Sequence, residues 1–349
     1  MIAHFATDSV RAQYVLRYFI ACVGALFLAQ PTSGALAAGP EATSINLQFS
    51  GSPDVSLAGV MMASKLGFFA QQGLSVKLQS LQGRDGGTDD TPSIVISIQN
   101  ARDFMIARAS GVPLVAIAGN YVDSSAAFFF RRKKNIRSEQ DLAGKSVGYD
   151  ANSDTGLIFE WFLTKNSVAR SSLTEVPVNP GAKGILDDKI DVILGHSGVE
   201  NLIFEKAGLD YGTLDPRAYG VHALGTVYVV DEISFRQNPD ALIRFLRALI
   251  AGWDYTYAKP DQAIEEIASV IGGDIDRSML KRALERQREF IRPGGARFGE
   301  ALRNRWNDLY IFMTQHRMIK APIDLSKATD TKLLAEAYRA RLGSANSAD

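Results

Sequence analysis

The stretch "VGYDANSDTGLIFEWFL", Val147 to Leu163, opens as a strand, passes through a run of small and polar residues, and then takes on helical spacing. Leu157, Ile158, Trp161 and Phe162 fall on one side of a helix, so they predict a buried helical face behind a strand that ends at Asp150. The turn "DANSDTG" then sits at the carboxyl end of that strand. Ligands of open α/β sheets bind at this edge, because helix amino termini there present unpaired N–H groups and the positive end of the helix dipole. Asn152, Ser153 and Asp154 each suit a helix N-cap, and capping is the plainer role for any one of them. The turn as a whole, Asn152 to Thr155, is a candidate ligand-binding segment.

On either side of this unit the same alternation repeats. Short β-patterned runs at 45–50, 74–81, 93–98, 113–120, 126–132, 145–150, 191–195 and 224–230 alternate with helical patterns, the signature of βαβ units and parallel sheets. After Pro239 the pattern is almost wholly helical: Leu242, Phe245, Leu246, Leu249, Ile250 and Trp253 lay one apolar stripe along a helix. Two α/β lobes with a helical carboxyl-terminal region are the economical reading.

With 349 residues, 46% of them hydrophobic, the chain is long enough for two ordinary domains and a large core. Thirty-eight basic residues balance 38 acidic ones, which leaves no net field to attract nucleic acid. The expected partner is a small molecule.

The first residues read as a secretory leader. Arg11 and Arg17 precede an apolar run from Tyr18 to Ala29, and "GALAAGP" supplies an Ala-x-Ala site at Ala35 to Ala37. The run is twelve residues, against the roughly twenty that a membrane span requires. Cleavage near Ala37 or Ala38 would remove Cys22, the only cysteine, and with it any disulfide, cysteine-ligated metal or thiol catalysis.

"LGFFAQQGLSVKL" (66–78), "FMIARASGVPLVAIAG" (104–119), "DLAGKSVGYD" (141–150), "LDDKIDVILG" (186–195) and "QNPDALIRFLRALIAGWDYTYAKPDQAI" (237–264) occur in this order. Together they resemble the periplasmic substrate-binding proteins of ABC importers, within the branch that handles thiamine-precursor pyrimidines, nitrate, sulfonates and taurine. The Gly252-Trp253 pair looks most like the pyrimidine-binding members. The resemblance implies a two-lobe, type II periplasmic-binding fold with two crossover strands, closing over a ligand between the lobes. It also implies a periplasmic monomer without a cofactor that delivers its solute to an ABC permease and ATPase.

Relatives lead from their second strand through a Gly-rich turn into a full helix. Here "SLQGRDGGTDDTP", with Gly83, Gly86, Gly87 and Pro92, leads straight to "SIVISI" and has no room for a normal helix. One ligand-facing helix amino terminus is therefore expected to be missing or reduced.

An enzyme is the rival class, since pyrimidine synthases share this fold, but they look to need a cysteine cluster that the mature chain lacks. His196, His222 and His316 are dispersed without metal-ligand spacing, and "GRDGG" lacks the Lys-Ser/Thr of a phosphate loop. No Gly-x-Ser-x-Gly elbow occurs. His196 follows the strand "DVILG" at a carboxyl edge, where a catalytic base or a ligand donor could equally sit, and ligand donor is the favoured reading. Plainer roles suit other features: "RRKK" (131–134) reads as a solvated turn, "FFF" (128–130) as a strand buried on both faces, and Trp253 with Tyr257 as core packing.

These readings predict a leader at 1–38, lobe one at 45–121 plus 226–335, lobe two at 122–225, and a flexible tail at 336–349. The hinge is expected in the crossovers near Tyr121 to Ala126 and Leu224 to Tyr228. The expected site draws on Ser50 and Pro53 after strand one, Ser97 and Gln99 on the third run, and Tyr121 on the crossover. From lobe two come Asn152, Ser153, Asp154 and Thr155, with His196 and Ser197; no catalytic or metal-ligating residue is assigned. The function implied is capture of a small polar solute for uptake, the alternative being a solute sensor or degenerate homologue without a transport role. Intact mass of the exported protein should show loss of about 37 or 38 residues; a full-length, membrane-bound species would contradict the leader.

Overall fold

The computed structural model describes residues 42–81, 93–177, 181–272, 276–301 and 303–345. The expected leader with Cys22 and the Gly-rich connector with Arg84 lie outside the described residues.

Two five-stranded sheets organise the chain. The first has the order β2 (Leu74–Ser80), β1 (Thr43–Phe49), β3 (Ile94–Asn100), β10 (Thr226–Asp231), β4 (Leu114–Gly119). The second has the order β7 (Thr174–Val176), β6 (Ser146–Gly148), β8 (Val192–His196), β5 (Ala126–Arg131), β9 (Tyr211–Leu214). In the first sheet β1 runs parallel to β2 and β3, while β10 is antiparallel to both its neighbours. In the second, β6 runs parallel to β7 and β8, while β5 is antiparallel to both its neighbours. The antiparallel strand of each sheet is thus the one that arrives from the other.

The two connecting segments are zipped together. Asn120 N–H and Tyr121 N–H both donate to Thr226 O, at 2.8 and 3.1 Å, Gly225 N–H donates to Tyr121 O at 3.0 Å, and Ser124 N–H to Ala223 O at 2.8 Å. Gly225 is required here, since a Cβ on it would lie 2.7 Å from Tyr121 Cβ. Asp123, 4% exposed, donates its N–H to Phe290 O and faces the Arg305 guanidinium at 3.1 Å. A ribbon of paired backbone with a buried ion pair therefore joins the sheets.

The longer helices used below are α1 (Ala58–Lys65), α2 (Ala101–Ala109), α3 (Asp154–Lys165), α4 (Glu200–Lys206), α5 (Pro239–Ala258), α6 (Arg277–Ile291), α7 (Arg303–Gln315) and α8 (Lys332–Ala345). The stripe predicted on α5 is buried in full, and Trp253 stacks on Tyr257 and Phe298. The Gly252-Trp253 pair sets how near α5 comes to α1: a Cβ on Gly252 would lie 2.0 Å from Gly59 O, and one on Gly59 2.4 Å from the Trp253 ring. Packing thus explains the pair. Helices α6 and α7 span the two sheets. Trp306 of α7 packs edge-on against Phe104 of α2, while Phe312, two turns on, stacks on Trp161 of α3 at 4.8 Å. Arg282 and Arg286 of α6 pair with Glu205 of α4.

Phe128, Phe129 and Phe130 are buried on both faces of β5, as expected. The basic run that follows is not a merely solvated turn. Arg131, Lys133 and Lys134 converge on Asp188, and Arg131 also donates to the carbonyls of Ile185 and Leu186, which anchors β5 to the chain before β8. Strands β7 and β9 carry no alternation long enough to read in sequence, because each is a short edge strand with one paired side. The expected flexible tail at 336–349 is also corrected: α8 runs to Ala345, Ala337 is buried, and Tyr338 OH donates to Phe298 O at 2.9 Å.

Gly252→Ala should lower stability by about 1–3 kcal/mol through overpacking at the α1–α5 contact, read as a shifted midpoint of urea unfolding. An unchanged midpoint would mean that the two helices can part without cost.

Candidate functional site

Parallel strands that end together leave a hollow where their loops diverge. At the carboxyl ends of β1 and β3 this hollow is a cleft of about 510 Å³. From β1 and its loop come Gln48, Phe49, Ser50, Ser52 and Asp54; from β3 and the start of α2 come Ser97, Gln99, Asn100 and Asp103; from the crossovers come Asn120, Tyr121 and Thr226. Among the described residues the lining holds two carboxylates, Asp54 and Asp103, and no Lys or Arg, and Asp103 pairs with Arg102 at 2.6 Å.

The crossover residues are held firmly. Asn120, 1% exposed, donates to Ser56 O and Thr226 Oγ1 and accepts from Tyr228 OH. Tyr121 OH donates to Gln287 Oε1 at 2.7 Å, and Gln287 Nε2 donates to Val55 O at 2.8 Å, so a buried glutamine of α6 ties the ring to the β1 loop. The Tyr121 ring stacks on Phe290. Burial, then the nearby Asp54, pushes the Tyr121 hydroxyl well above its ordinary pKa, so it stays a neutral donor.

Opposite lies the edge of the second sheet. Ser153 is the true N-cap of α3, its Oγ accepting from Thr155 N–H at 3.2 Å. Asp154, the first helical residue, faces His196 Nε2 at 3.5 Å, and His196 Nδ1 lies 3.3 Å from Ser125 Oγ. Burial alone would depress the imidazole's pKa, but Asp154 and then Glu200 outweigh it and raise it to about 9. Burial opposes ionisation of Asp154 as well, yet His196, a hydrogen bond from Asn100 and the Thr155 N–H hold its carboxyl below the ordinary value. His196 is thus an imidazolium at neutral pH, and Asp154 its counter-ion. With its pKa raised to about 9, His196 is a poor base at neutral pH for taking a proton from Ser125.

Of the residues expected from sequence, Ser50, Ser97, Gln99 and Tyr121 line the cleft. Pro53 sits between the lining residues Ser52 and Asp54 without itself lining the cleft. Asn152 is exposed and its N–H donates to Asp150; Thr155 Oγ1 lies 2.9 Å from Ser153 Oγ; Ser197 N–H donates to Ser125 O. Asn100 lines the cleft and is also one of the groups that hold the Asp154 carboxyl below its ordinary pKa. Strand-edge reasoning could have found Asn100 and Asp103, which follow β3 as N-cap and first-turn residue of α2. Asp54, Asn120 and Thr226 give no such signal, because tertiary contact alone brings the crossovers beside the β1 loop. Asp123, on the first crossover segment, is engaged by Arg305 at 3.1 Å.

Solved structures confirm the architecture. The periplasmic aliphatic sulphonate-binding protein SsuA from Escherichia coli superimposes with a TM-score of 0.66 over 83% of this chain and 92% of its own, at 12% identity. The fold is the two-lobe periplasmic-binding-protein type. Residues 54–263 match the family described as NMT1/THI5 like, and the chain belongs to that family. Among curated relatives, riboflavin-binding protein RibY of Chloroflexus aurantiacus is 24% identical over 83% of this chain and 85% of its own length. The formylaminopyrimidine-binding protein of Halalkalibacterium halodurans is 21% identical over 75% and 82%. A relative from Legionella pneumophila named 4-amino-5-hydroxymethyl-2-methylpyrimidine phosphate synthase is 25% identical over 59% and 67%.

The paired charges set a pH dependence. The folded pKa of His196 is raised from 6.5 to about 9, so its stabilising contribution is complete below about 6.5 and is lost as pH rises through 9. Asp154, lowered from 3.8, contributes above that value and ceases to as pH falls through its folded pKa. NMR titration of His196 should give a pKa near 9, dropping by at least about one unit in Asp154→Asn. Titration near 6.5 in the wild type would show that the pair does not form.

Proposed function

We propose that this chain is the extracytoplasmic solute-binding component of an ABC importer, and that it takes a neutral or weakly cationic polar solute in the cleft beside Tyr121. The observation that carries the reading is the lining itself: hydrogen-bonding side chains at a carboxyl strand edge, two carboxylates and no base. An anion such as a sulfonate or nitrate would meet the carboxylate of Asp54, while Asp103 is already paired with Arg102 at 2.6 Å. An aminopyrimidine can donate to these carboxylates and lie against the Tyr121 ring. The names of the binding-protein relatives support the same reading.

In this reading the lobes are residues 45–121 with 226–335, and 122–225. Closure turns about the zipped crossovers and brings Asp154, His196, Asn152, Ser153, Thr155 and Ser197 toward a solute held by Ser50, Ser97, Gln99 and Tyr121. Contacts to both lobes then favour the closed state. The protein works as a periplasmic monomer, presenting its solute to a permease and ATPase. A solute sensor or degenerate homologue without transport is the second reading, and the absence of neighbouring permease and ATPase genes would favour it. Catalysis is not proposed, since His196 is held as the imidazolium and the cleft lining contains no cysteine.

Thermal-shift screening tests the ligand class. A solute at a hundred times its dissociation constant stabilises the native state by about 2.7 kcal/mol, and aminopyrimidines should raise the melting temperature while taurine, alkanesulfonates and nitrate leave it unchanged. The opposite pattern would overturn the charge argument.

A further inference from the structure

Strands covered by helices on both faces are apolar throughout. The outer half of the first sheet is not. Register places Ile45 and Leu47 of β1 beside Val76 and Leu78 of β2 and beside Ile94 and Ile96 of β3, all on the core face. The other face carries Asn46 and Gln48 of β1, Lys77 and Gln79 of β2, and Val95 and Ser97 of β3. Val95 is 39% exposed and Leu81, at the end of the same face, 47%. This polar face runs without a break into the cleft, whose lining already includes Gln48, Ser97, Gln99 and Leu81.

The side chains there are ordered but not satisfied. Gln79 Oε1 accepts from both Asn46 Nδ2, at 2.7 Å, and Gln48 Nε2, at 3.3 Å, and Gln99 Nε2 donates to Ser97 Oγ at 2.7 Å. Gln48 Oε1, Gln79 Nε2 and Gln99 Oε1 have no partner among the described residues, so acceptors and donors alternate along the face. A volume of about 510 Å³ lies in the range that encloses a drug-sized molecule, more than a lone six-membered ring fills.

We propose that the solute has two parts, a ring that reaches Tyr121 and a chain of hydroxyl or amide groups that lies along Gln48, Gln79, Ser97 and Gln99. The inference rests on the reading that this cleft is the solute site. A polyol or amide chain offers both donors and acceptors to the free groups, whereas an apolar chain would leave them unpaired.

Three probes separate the parts: riboflavin, which joins a flat ring to a ribityl chain; lumiflavin, the same ring bearing a methyl group instead; and 4-amino-5-hydroxymethyl-2-methylpyrimidine, a single ring. With the purified protein, fluorescence titration and calorimetry should give riboflavin an affinity at least about tenfold above lumiflavin and above the pyrimidine. The double variant Gln48→Leu, Gln79→Leu should bring the two flavins to equal affinity by weakening riboflavin alone. Should that variant fail to fold, Ser97→Ala, which adds no volume, should narrow the same ratio. Equal affinity of the flavins in the wild type, or an equal loss for both in the variants, overturns the chain subsite. So does a pyrimidine that binds more tightly than riboflavin, although the cleft then stands as the site. If no probe binds, the reading of the cleft and this inference fall together.

Discussion

The structure depends on two crossover segments that satisfy each other's backbone. A chain that leaves one sheet, builds another and returns must cross the gap twice, and unpaired peptide groups buried there would be costly. Residues 120–124 and 223–226 meet that constraint by bonding to one another, which is possible only because Gly225 lets the second segment lie against Tyr121. The returning chain then enters the first sheet as β10, between β3 and β4, and completes its core with Val227, Tyr228, Val229 and Val230. Hinge and core are therefore continuous in covalent structure. A change at Gly225 would be felt in both.

The same ribbon carries the cleft wall. Asn120 and Tyr121 stand where the first crossover leaves β4, and α6 reaches them through Gln287 and Phe290. Farther along, α6 holds the second lobe through Arg282, Arg286 and Glu205. One helix thus touches both the Tyr121 ring and the second sheet's helix α4. Burial raises the pKa of Asp123, in the middle of the ribbon, against the pull of Arg305 and then Arg217. Protonation there would release Arg305 from its partner, while Arg217 keeps its pairs with Asp215 and Glu289.

Electrostatics divides the two walls of the site. Asp54 gives the first wall a carboxylate, Asp103 there is paired with Arg102, and the second wall holds a balanced pair, Asp154 with His196. Asn100 caps α2 through Oδ1 and helps to lower the pKa of Asp154. The helix terminus at Ser153 therefore offers less to an anion than an uncharged N-cap would, since Asp154 already occupies that field.

The alternation of β-patterned and helical runs sufficed to indicate two α/β lobes, because burial imposes a period of two on strands and near 3.6 on helices wherever an element is long. Thus Phe128 to Phe130 and the stripe on α5 were legible, as was Ser153 at the start of α3. Strands β7 and β9 were not, being too short and too polar to show a period, and neither was the helix that continues through the expected tail, where packing of Ala337 and Tyr338 decides. In the site, Ser50, Ser97, Gln99 and Tyr121 follow from their places at strand ends, a local property. Asp54, Asn120 and Thr226, the pairing of Asp154 with His196, and the raised pKa of His196 depend on residues tens to more than a hundred positions apart in the chain. Only the tertiary structure could decide those, because pairing and pKa are set by distance in space, which local periodicity does not encode.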